Sequence, residues 1–240
     1  MSAGRLQRPV LVIEHAAWER PGRIEPCLAA RGVRLERRNL VAHGAVDLPD
    51  IADLAGLVVL GGPMRANDVD GHPALGAELD LLRRAVDAEV PVLGVCLGHQ
   101  LLALAHGADL SAGPAEVGIG SIRITSTSSL GESGRLVDVL HWHHDRVSLP
   151  PGAELLASSN DCDNQAFRLG SALGLQFHLE VDLDLLAEWL AVPEMAADLS
   201  SKRELLETFI EVEQGLARVA ASVFGAFATE AARRADLALR

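Results

Sequence analysis

One stretch near the middle of the chain, residues 90–100 with the sequence VPVLGVCLGHQ, constrains the fold more than any other. It begins as a short apolar run with β-branched residues, which is typical of a parallel strand buried on both faces. Beyond Gly98 it continues as LLALAHG over 101–107, which indicates a helix that ends at a glycine. Cys96 therefore lies at the point where a buried strand turns into a helix.

Glycines stand on both sides of this cysteine, Gly94 before it and Gly98 after it. A nucleophile elbow has this arrangement, usually with a serine as the nucleophile. Strand and helix cross so closely there that a Cβ atom at either glycine would clash, and the strained turn exposes the nucleophile above the sheet. The N-terminus of the following helix favours the thiolate. For this stretch alone, the alternative is a buried and unreactive cysteine.

Strand and helix patterns alternate along the chain before this elbow. Apolar or alternating runs predict strands at 9–14, 33–38 and 54–60, and helices are predicted at 22–31 and 75–86. Such alternation implies a parallel sheet covered by helices. After the elbow, 117–125 and 134–141 predict a hairpin or antiparallel extension, followed by short strands at 153–157, 164–168 and 172–177. The predicted fold class is α/β: an open, mostly parallel twisted sheet with helices on both faces, a small antiparallel extension and extra C-terminal helices.

Two further motifs fall at the predicted carboxyl edge of the sheet, where open α/β sheets bind ligands. The third strand is followed by Gly61-Gly-Pro-Met, a tight turn with exposed backbone N–H groups that fits either an oxyanion site or a plain turn. Near the last strand, His178 and Glu180 are two residues apart, so in an extended segment they share a face. The carboxylate could orient the imidazole, which could deprotonate Cys96 and later protonate a leaving amine.

A histidine-rich segment, His141-Trp-His-His-Asp, raises the question of a metal site. His141, His143 and Asp145 could share one face of a strand, but the sequence shows no further ligand pair at a familiar zinc spacing. We therefore expect no metal and no other cofactor. We expect instead a loop that lines the substrate pocket and positions a polar ligand.

Charge and cysteine usage exclude several classes of partner. The formal net charge is −12 with a pI near 5.1, and no Lys/Arg run is present, so neither nucleic acid nor an anionic membrane is an expected partner. The apolar runs are too short to cross a bilayer, and the N-terminus lacks the pattern of a signal peptide, so we expect a cytoplasmic protein. Three widely spaced cysteines do not make a disulfide framework. Cys27 is expected in the core, and Cys162 is expected to be a loop cysteine.

From Asp182 onward the sequence is typical of helices. Ser201 and Glu204 form a capping-box pattern that opens a long helix. Its apolar residues repeat like a heptad: Leu205, Phe209, Val212, Leu216, Val219 and Val223. We expect this stripe to dock on its own domain, with a dimer or partner interface as the alternative. The predicted division is a catalytic-type domain over 1–190 and a helical extension over 191–240 packed on it.

Taken together, four motifs resemble those of the class I glutamine amidotransferases, and the nearest branch is similar to stand-alone, GMP-synthase-like members. The motifs are Gly61-Gly-Pro-Met, Gly94-Val-Cys-Leu-Gly-His-Gln100, His141-Trp-His-His-Asp and Gly174-Leu-Gln-Phe-His-Leu-Glu-Val181. The resemblance covers about residues 9–190 and implies an open, mostly parallel sheet. One departure is Leu179, where the family motif has proline; the His-x-Glu spacing is unchanged.

Carried over by position, the resemblance implies that Cys96 attacks the side-chain amide of glutamine and forms a γ-glutamyl thioester. It implies that His178 acts as base and then as acid, with Glu180 orienting it. The oxyanion hole would consist of the N–H groups of Gly62 and Leu97. The remaining implied residues would contact the substrate: Gln100, Trp142, His144 and Asp145.

Three functions remain open at this point. The first is a glutaminase that releases ammonia, free or beside a synthase partner. The second is a γ-glutamyl peptidase or hydrolase with the same triad, and the third is a non-catalytic binding module. The expected partners are a small-molecule substrate and either a synthase protein or a second copy of the chain, with no nucleic acid and no membrane.

Overall fold

The computed structural model of the chain describes residues 7–40 and 48–237. Residues 1–6, on which the expectation of a cytoplasmic protein partly rests, lie outside the described residues. Nine strands occur in the described residues: β1 Val10–Glu14, β2 Leu35–Asn39, β3 Gly56–Val59, β4 Val92–Val95, β5 Leu110–Ile124, β6 Leu136–Val147, β7 Glu154–Ser158, β8 Ala166–Leu169 and β9 Ala172–Leu175. The α-helices are α1 Ile24–Ala29, α2 Ala74–Asp87, α3 Leu97–Ala105, α4 Leu183–Ala191, α5 Pro193–Ala196 and α6 Lys202–Leu237.

All nine strands form a single sheet in the order β2-β1-β3-β4-β9-β8-β7-β5-β6. Five neighbouring strands are parallel to one another: β2, β1, β3, β4 and β9. The other four strands, β8, β7, β5 and β6, extend the sheet beyond β9 with antiparallel pairing. The fold class predicted from the sequence is confirmed. Because the parallel strands end at one edge, the segments that follow β1, β3, β4 and β9 meet there.

The centre of the sheet is buried on both faces. Every residue of β1, β3, β4 and β9 is buried. Neighbouring residues of β1 face opposite sides, so Val10 and Val12 belong to the core shared with α6, whereas Leu11 and Ile13 belong to the core shared with α2 and α3. This sandwiching explains why these strands appear in the sequence as short continuous apolar runs.

Several predicted boundaries differ from the structure. The predicted loop that carries Trp142, His144 and Asp145 is wrong, because β6 continues to Val147. Its second half pairs with the start of β5, and the register shifts between Ala112 and Glu116. The second half is mostly polar, so it lacks the apolar alternation that marks a half-buried strand.

Two helices also differ in length from the predictions. The elbow helix α3 begins directly after Cys96 and ends before Gly107, which has φ +86°. Helix α1 is shorter than the predicted 22–31, since Gly22 has φ +44° and lies outside it.

The long helix α6 faces the rest of the chain with its apolar stripe. Phe209, Leu216 and Val223 are buried in the core that also contains residues of β1. The helix contacts α1, α4, β5 and β6, and Ser201 Oγ accepts a hydrogen bond from the Glu204 N–H at 3.2 Å. The boundary placed near residue 190 stays a prediction.

Candidate active site

The turn between β4 and α3 forces Cys96 into an unusual backbone conformation. Its φ is 52° and its ψ is −103°, a left-handed region that costs a non-glycine residue about 1–3 kcal/mol. A Cβ atom on Gly98 would lie 2.0 Å from the carbonyl oxygen of Val59 in β3, and one on Gly94 would lie 2.5 Å from that of Gly98. Both glycines are therefore required by the close crossing of strand and helix, as the sequence predicted.

The Cys96 side chain faces a cavity at the carboxyl edge of the sheet. The cavity has a volume of about 440 Å³, and Cys96 retains 8% exposure in its wall. Its sulfur lies 3.7 Å from the carbonyl oxygen of Trp142. The thiol is thus neither enclosed in the core nor displayed on the open surface.

His178 and Glu180 form a buried pair beside this cysteine. The Nδ1 atom of His178 lies 2.6 Å from Oε1 of Glu180, and both side chains are 1% exposed. The His178 backbone N–H donates to the Leu140 carbonyl at 2.8 Å, which fixes the segment against β6. The ring of Trp189 in α4 packs edge-on against the imidazole, with ring centroids 4.9 Å apart. Because Nδ1 is engaged, Nε2 is the nitrogen left to face the thiol.

The electrostatics of this pair favour a charged imidazole. Burial lowers the pKa of His178, but the Glu180 charge and hydrogen bonding to Cys96 and Glu180 outweigh burial and raise the pKa well above its usual value. An imidazolium beside a sulfur atom stabilises the thiolate, which is the nucleophilic form.

The two residues implied for an oxyanion hole lie together at the cavity wall. Gly62 and Leu97 both line it, and a Cβ on Gly62 would lie 2.8 Å from Cδ2 of Leu97. Leu97 is the first residue of α3, so its N–H has no carbonyl partner within the helix. A buried ion pair fixes the turn before Gly62, because His15 donates to the Gly61 carbonyl at 2.9 Å and contacts Glu78 at 2.9 Å.

The four residues implied for substrate contact also reach the cavity. Gln100 donates to the Asp145 carbonyl at 3.1 Å, so its amide is held against β6. The Asp145 carboxylate is engaged by the Arg65 guanidinium through contacts of 2.8 and 3.2 Å. Sequence reasoning missed Arg65, although a cation directly after the Gly-Gly-Pro-Met turn was an available signal. Trp142 and His144 line the same wall of the cavity.

Glu19 is a second residue that sequence reasoning missed. It is 5% exposed and lines the cavity, and a Cβ on Gly61 would lie 2.6 Å from its Oε2 atom. Burial raises the pKa of Glu19 to about 7, with the charges of His178 and His15 opposing and that of Glu180 reinforcing the rise. A carboxyl group that titrates near neutral pH therefore lies beside the imidazole.

The segment after α4 completes the rim of the cavity. Glu194, Met195 and Asp198 line it, and Asp198 lies 3.6 Å from Nε2 of His144. Residues beyond 190, whose role the sequence left open, therefore contribute to the site.

The cysteines outside the site differ from each other. Cys27 is partly buried against the core, as expected. Cys162 lies in a loop but is buried and does not line the cavity, and burial raises its pKa to about 11. The prediction of a loop cysteine is therefore confirmed.

Among the residues that the structure describes, two groups of side chains bring possible metal ligands within 4.8 Å of one another. One is Glu19, His178 and Glu180, in which the His178–Glu180 contact already engages two members; the other is Glu116, His141 and His143. Asp145, which the sequence grouped with these histidines, is replaced by Glu116 from β5. Burial acts to raise the pKa of Glu116, but the contacts with His143 and Ser159 and the nearby imidazoles outweigh it, and the pKa is lowered to about 2. Burial lowers the pKa of His141 to about 4.

These features define a class: an α/β protein with a cysteine elbow and a buried His–Glu pair at the carboxyl edge of its sheet. The family model described as "Glutamine amidotransferase class-I" matches residues 23–190. A glutamine amidotransferase of Thermotoga maritima superimposes with a TM-score of 0.85 at 28% identity, covering 93% of this chain and 99% of that one. The one from Methylobacillus flagellatus gives 0.84 at 30% identity, covering 93% and 95%.

The sequence relatives agree with these structures. The glutamine amidotransferase-like protein YfeJ of Salmonella typhimurium is 31% identical over 182 residues, covering 72% of this chain and 75% of that protein. A glutamine-hydrolysing GMP synthase component of Methanocaldococcus jannaschii is 32% identical over 118 residues, 47% of this chain and 63% of that protein, so the match spans less than two thirds of it. The chain belongs to the class I glutamine amidotransferase family. In the part that the structure describes, no helix combines the length and the apolar character needed to span a bilayer.

Proposed function

We propose that the protein hydrolyses the side-chain amide of glutamine through a thioester on Cys96. The proposal rests on Cys96 and His178 lining one cavity, with His178 paired to Glu180 at 2.6 Å, in a chain of this family. Cys96 would be the nucleophile, His178 the acid and base, and Glu180 the group that orients and charges the imidazole.

In the first half-reaction, the Cys96 thiolate attacks the amide carbon and the carbonyl oxygen becomes an oxyanion. The N–H groups of Gly62 and Leu97 would stabilise it, each by about 3 kcal/mol in the barrier. The imidazolium of His178 then donates its proton to the leaving nitrogen, so ammonia departs and the γ-glutamyl thioester remains.

In the second half-reaction, His178 is neutral and can take a proton from water. The resulting hydroxide attacks the thioester, the C–S bond breaks and glutamate leaves. The Cys96 thiolate and the His178 imidazolium are thereby restored. Trp142, His144 and Asp145, with Gln100 beneath, would hold the α-amino and α-carboxylate groups during both steps.

The test is ammonia release from glutamine by the purified chain. Cys96→Ser should lower the rate by more than about 1,000-fold, because an alcohol is a poor nucleophile in a site built for a thiolate. Cys27→Ser is the matched control and should leave the rate unchanged, since Cys27 lies outside the cavity. Equal rates for wild type and Cys96→Ser would refute the mechanism.

The size of the cavity supports a second candidate, a γ-glutamyl peptidase or hydrolase. A volume of about 440 Å³ falls within the range of sites for drug-sized ligands and leaves room beyond one amino acid. A panel of γ-glutamyl peptides and amides, assayed for amine release, distinguishes the two. Turnover of peptides without turnover of glutamine would favour this candidate, and both require Cys96.

The Methanocaldococcus jannaschii relative is named as one component of a GMP synthase, and this supports a further proposal about partners. We infer that a synthase protein could accept the ammonia, because free ammonia is protonated and lost at neutral pH. A rise in glutaminase rate on adding such a protein would support this, and no change would count against it. A homodimer and a cytoplasmic location stay predictions.

A further inference from the structure

Three side chains outside the proposed reaction converge between β5 and β6. Glu116 of β5 lies directly opposite His143 of β6, and His141 is two residues along the same face of β6. Each offers one possible ligand atom, and the three atoms lie within 4.8 Å of one another. Antiparallel pairing has therefore supplied the third ligand that the sequence alone did not reveal.

The contact between His143 and Glu116 has an unusual geometry. His143 Nδ1–H donates to the Asp145 carbonyl at 3.2 Å, so a neutral ring carries its lone pair on Nε2. That Nε2 atom lies 3.2 Å from Oε2 of Glu116, yet it makes no hydrogen bond there. Two acceptor atoms face each other favourably when a cation lies between them. In a tetrahedral zinc site with bonds of about 2.05 Å, neighbouring ligand atoms are about 3.3 Å apart.

The surroundings of these two residues support the same conclusion. His141 is 3% exposed and its Nδ1 atom has no hydrogen-bond partner, which is costly for a buried polar atom. The Glu116 carboxylate is held by Ser159 Oγ at 2.7 Å and by the Gln165 amide at 2.8 Å. Such outer contacts orient ligands in known metal sites, where a ligating imidazole also commonly donates its other N–H to a carbonyl, as His143 does here.

We propose that Glu116, His141 and His143 form a binding site for a divalent first-row metal ion. Two imidazoles and one carboxylate match zinc best, and three protein ligands leave a fourth position for water. The ion would tie β5 to β6 beside the wall of the cavity, to which His143 belongs. This site is independent of the proposed amide hydrolysis. The competing explanation is an ion pair between a protonated His143 and Glu116.

The test is a titration of the chelator-treated full chain with zinc chloride, followed by calorimetry and thermal unfolding. One equivalent should bind, and a hundredfold excess over Kd should raise Tm by about 5 °C. Glu116→Gln and His141→Gln should each weaken binding by more than about 10-fold. His144→Gln is the matched control on the same strand, and its affinity should not change because the His144 side chain is 56% exposed on the other face.

The thiolate and the imidazole of the proposed active site could also bind zinc. A second set of measurements, on the Cys96→Ser variant, tests for zinc bound by this thiolate. Cys96→Ser should keep the affinity, and cobalt in place of zinc should give d–d bands without a thiolate-to-metal charge-transfer band. Retention of binding in both Glu116→Gln and His141→Gln would overturn the proposal, whether or not Cys96→Ser loses it, because zinc would then be bound at the active site, which also contains the Glu19, His178 and Glu180 group. Absence of zinc binding by the wild-type chain would also overturn it and leave the ion pair as the explanation.

Discussion

The crossing of α3 over β3 can be tested by replacing Gly98 with alanine. The added Cβ would lie 2.0 Å from the carbonyl oxygen of Val59 and 3.0 Å from its Cβ, both in the central strand β3, so it is the helix that must move. Overpacking of this kind costs up to about 3 kcal/mol, and the better helix propensity of alanine returns about 1 kcal/mol. We expect Gly98→Ala to be destabilised by about 2 kcal/mol and to react more slowly at Cys96, because the elbow moves with the helix.

The matched control is Gly215→Ala in α6, where an added Cβ meets no atom within 4 Å. The same substitution in a helix should there stabilise the protein by about 0.5–1 kcal/mol. Urea unfolding of both variants measures the difference, and the rate of Cys96 alkylation reports on the elbow. A Gly98→Ala protein as stable and as reactive as Gly215→Ala would show that the close crossing is not what holds Cys96.

Two further substitutions test the charges around the imidazole. The pKa of Glu19 is about 7 in the folded protein against an ordinary value of 4.5. The protonated Glu19 carboxyl group therefore stabilises the folded state fully below pH 4.5, and this stabilisation is lost as the pH rises through 7. Between pH 4.5 and 8, the free energy of unfolding of the wild type should therefore fall by about 3 kcal/mol more than that of Glu19→Gln. Parallel curves of unfolding free energy against pH for the two proteins would contradict this. Glu180→Gln should lower the raised pKa of His178 and reduce activity by about 100-fold or more, measured by NMR titration and ammonia release; an unchanged His178 pKa would show that Glu180 does not charge the ring.

Local patterns predicted the parts of the site that a few neighbouring residues determine. Gly94 and Gly98 mark the elbow because the crossing admits no side chain, and that requirement is visible in the sequence. The pairing of His178 with Glu180 was predicted from their spacing of two in an extended segment, and the pair does form, although β9 ends at Leu175 and the pair lies beyond it. The apolar strands were found because burial on both faces leaves a continuous run of hydrophobic residues.

The rest depends on contacts between distant segments. Arg65 meets Asp145, and Glu19 reaches the imidazole, only because the turns after β3 and β1 come to one edge of the sheet. Glu116 faces His143 through the register of β5 and β6, which includes a shift that no local pattern shows. The second half of β6 could not be distinguished from a loop because its mostly polar sequence shows no apolar alternation.

Covalent trapping shows whether Cys96 attacks the γ-carbonyl of a glutamine-like substrate. The protein is incubated with a glutamine analogue that carries a diazoketone in place of the amide, and the labelled peptide is identified by mass spectrometry. The proposed mechanism predicts one label per chain, on Cys96, prevented by excess glutamine and absent from Cys27 and Cys162. A label on another cysteine, or no label while the protein is folded, would contradict it.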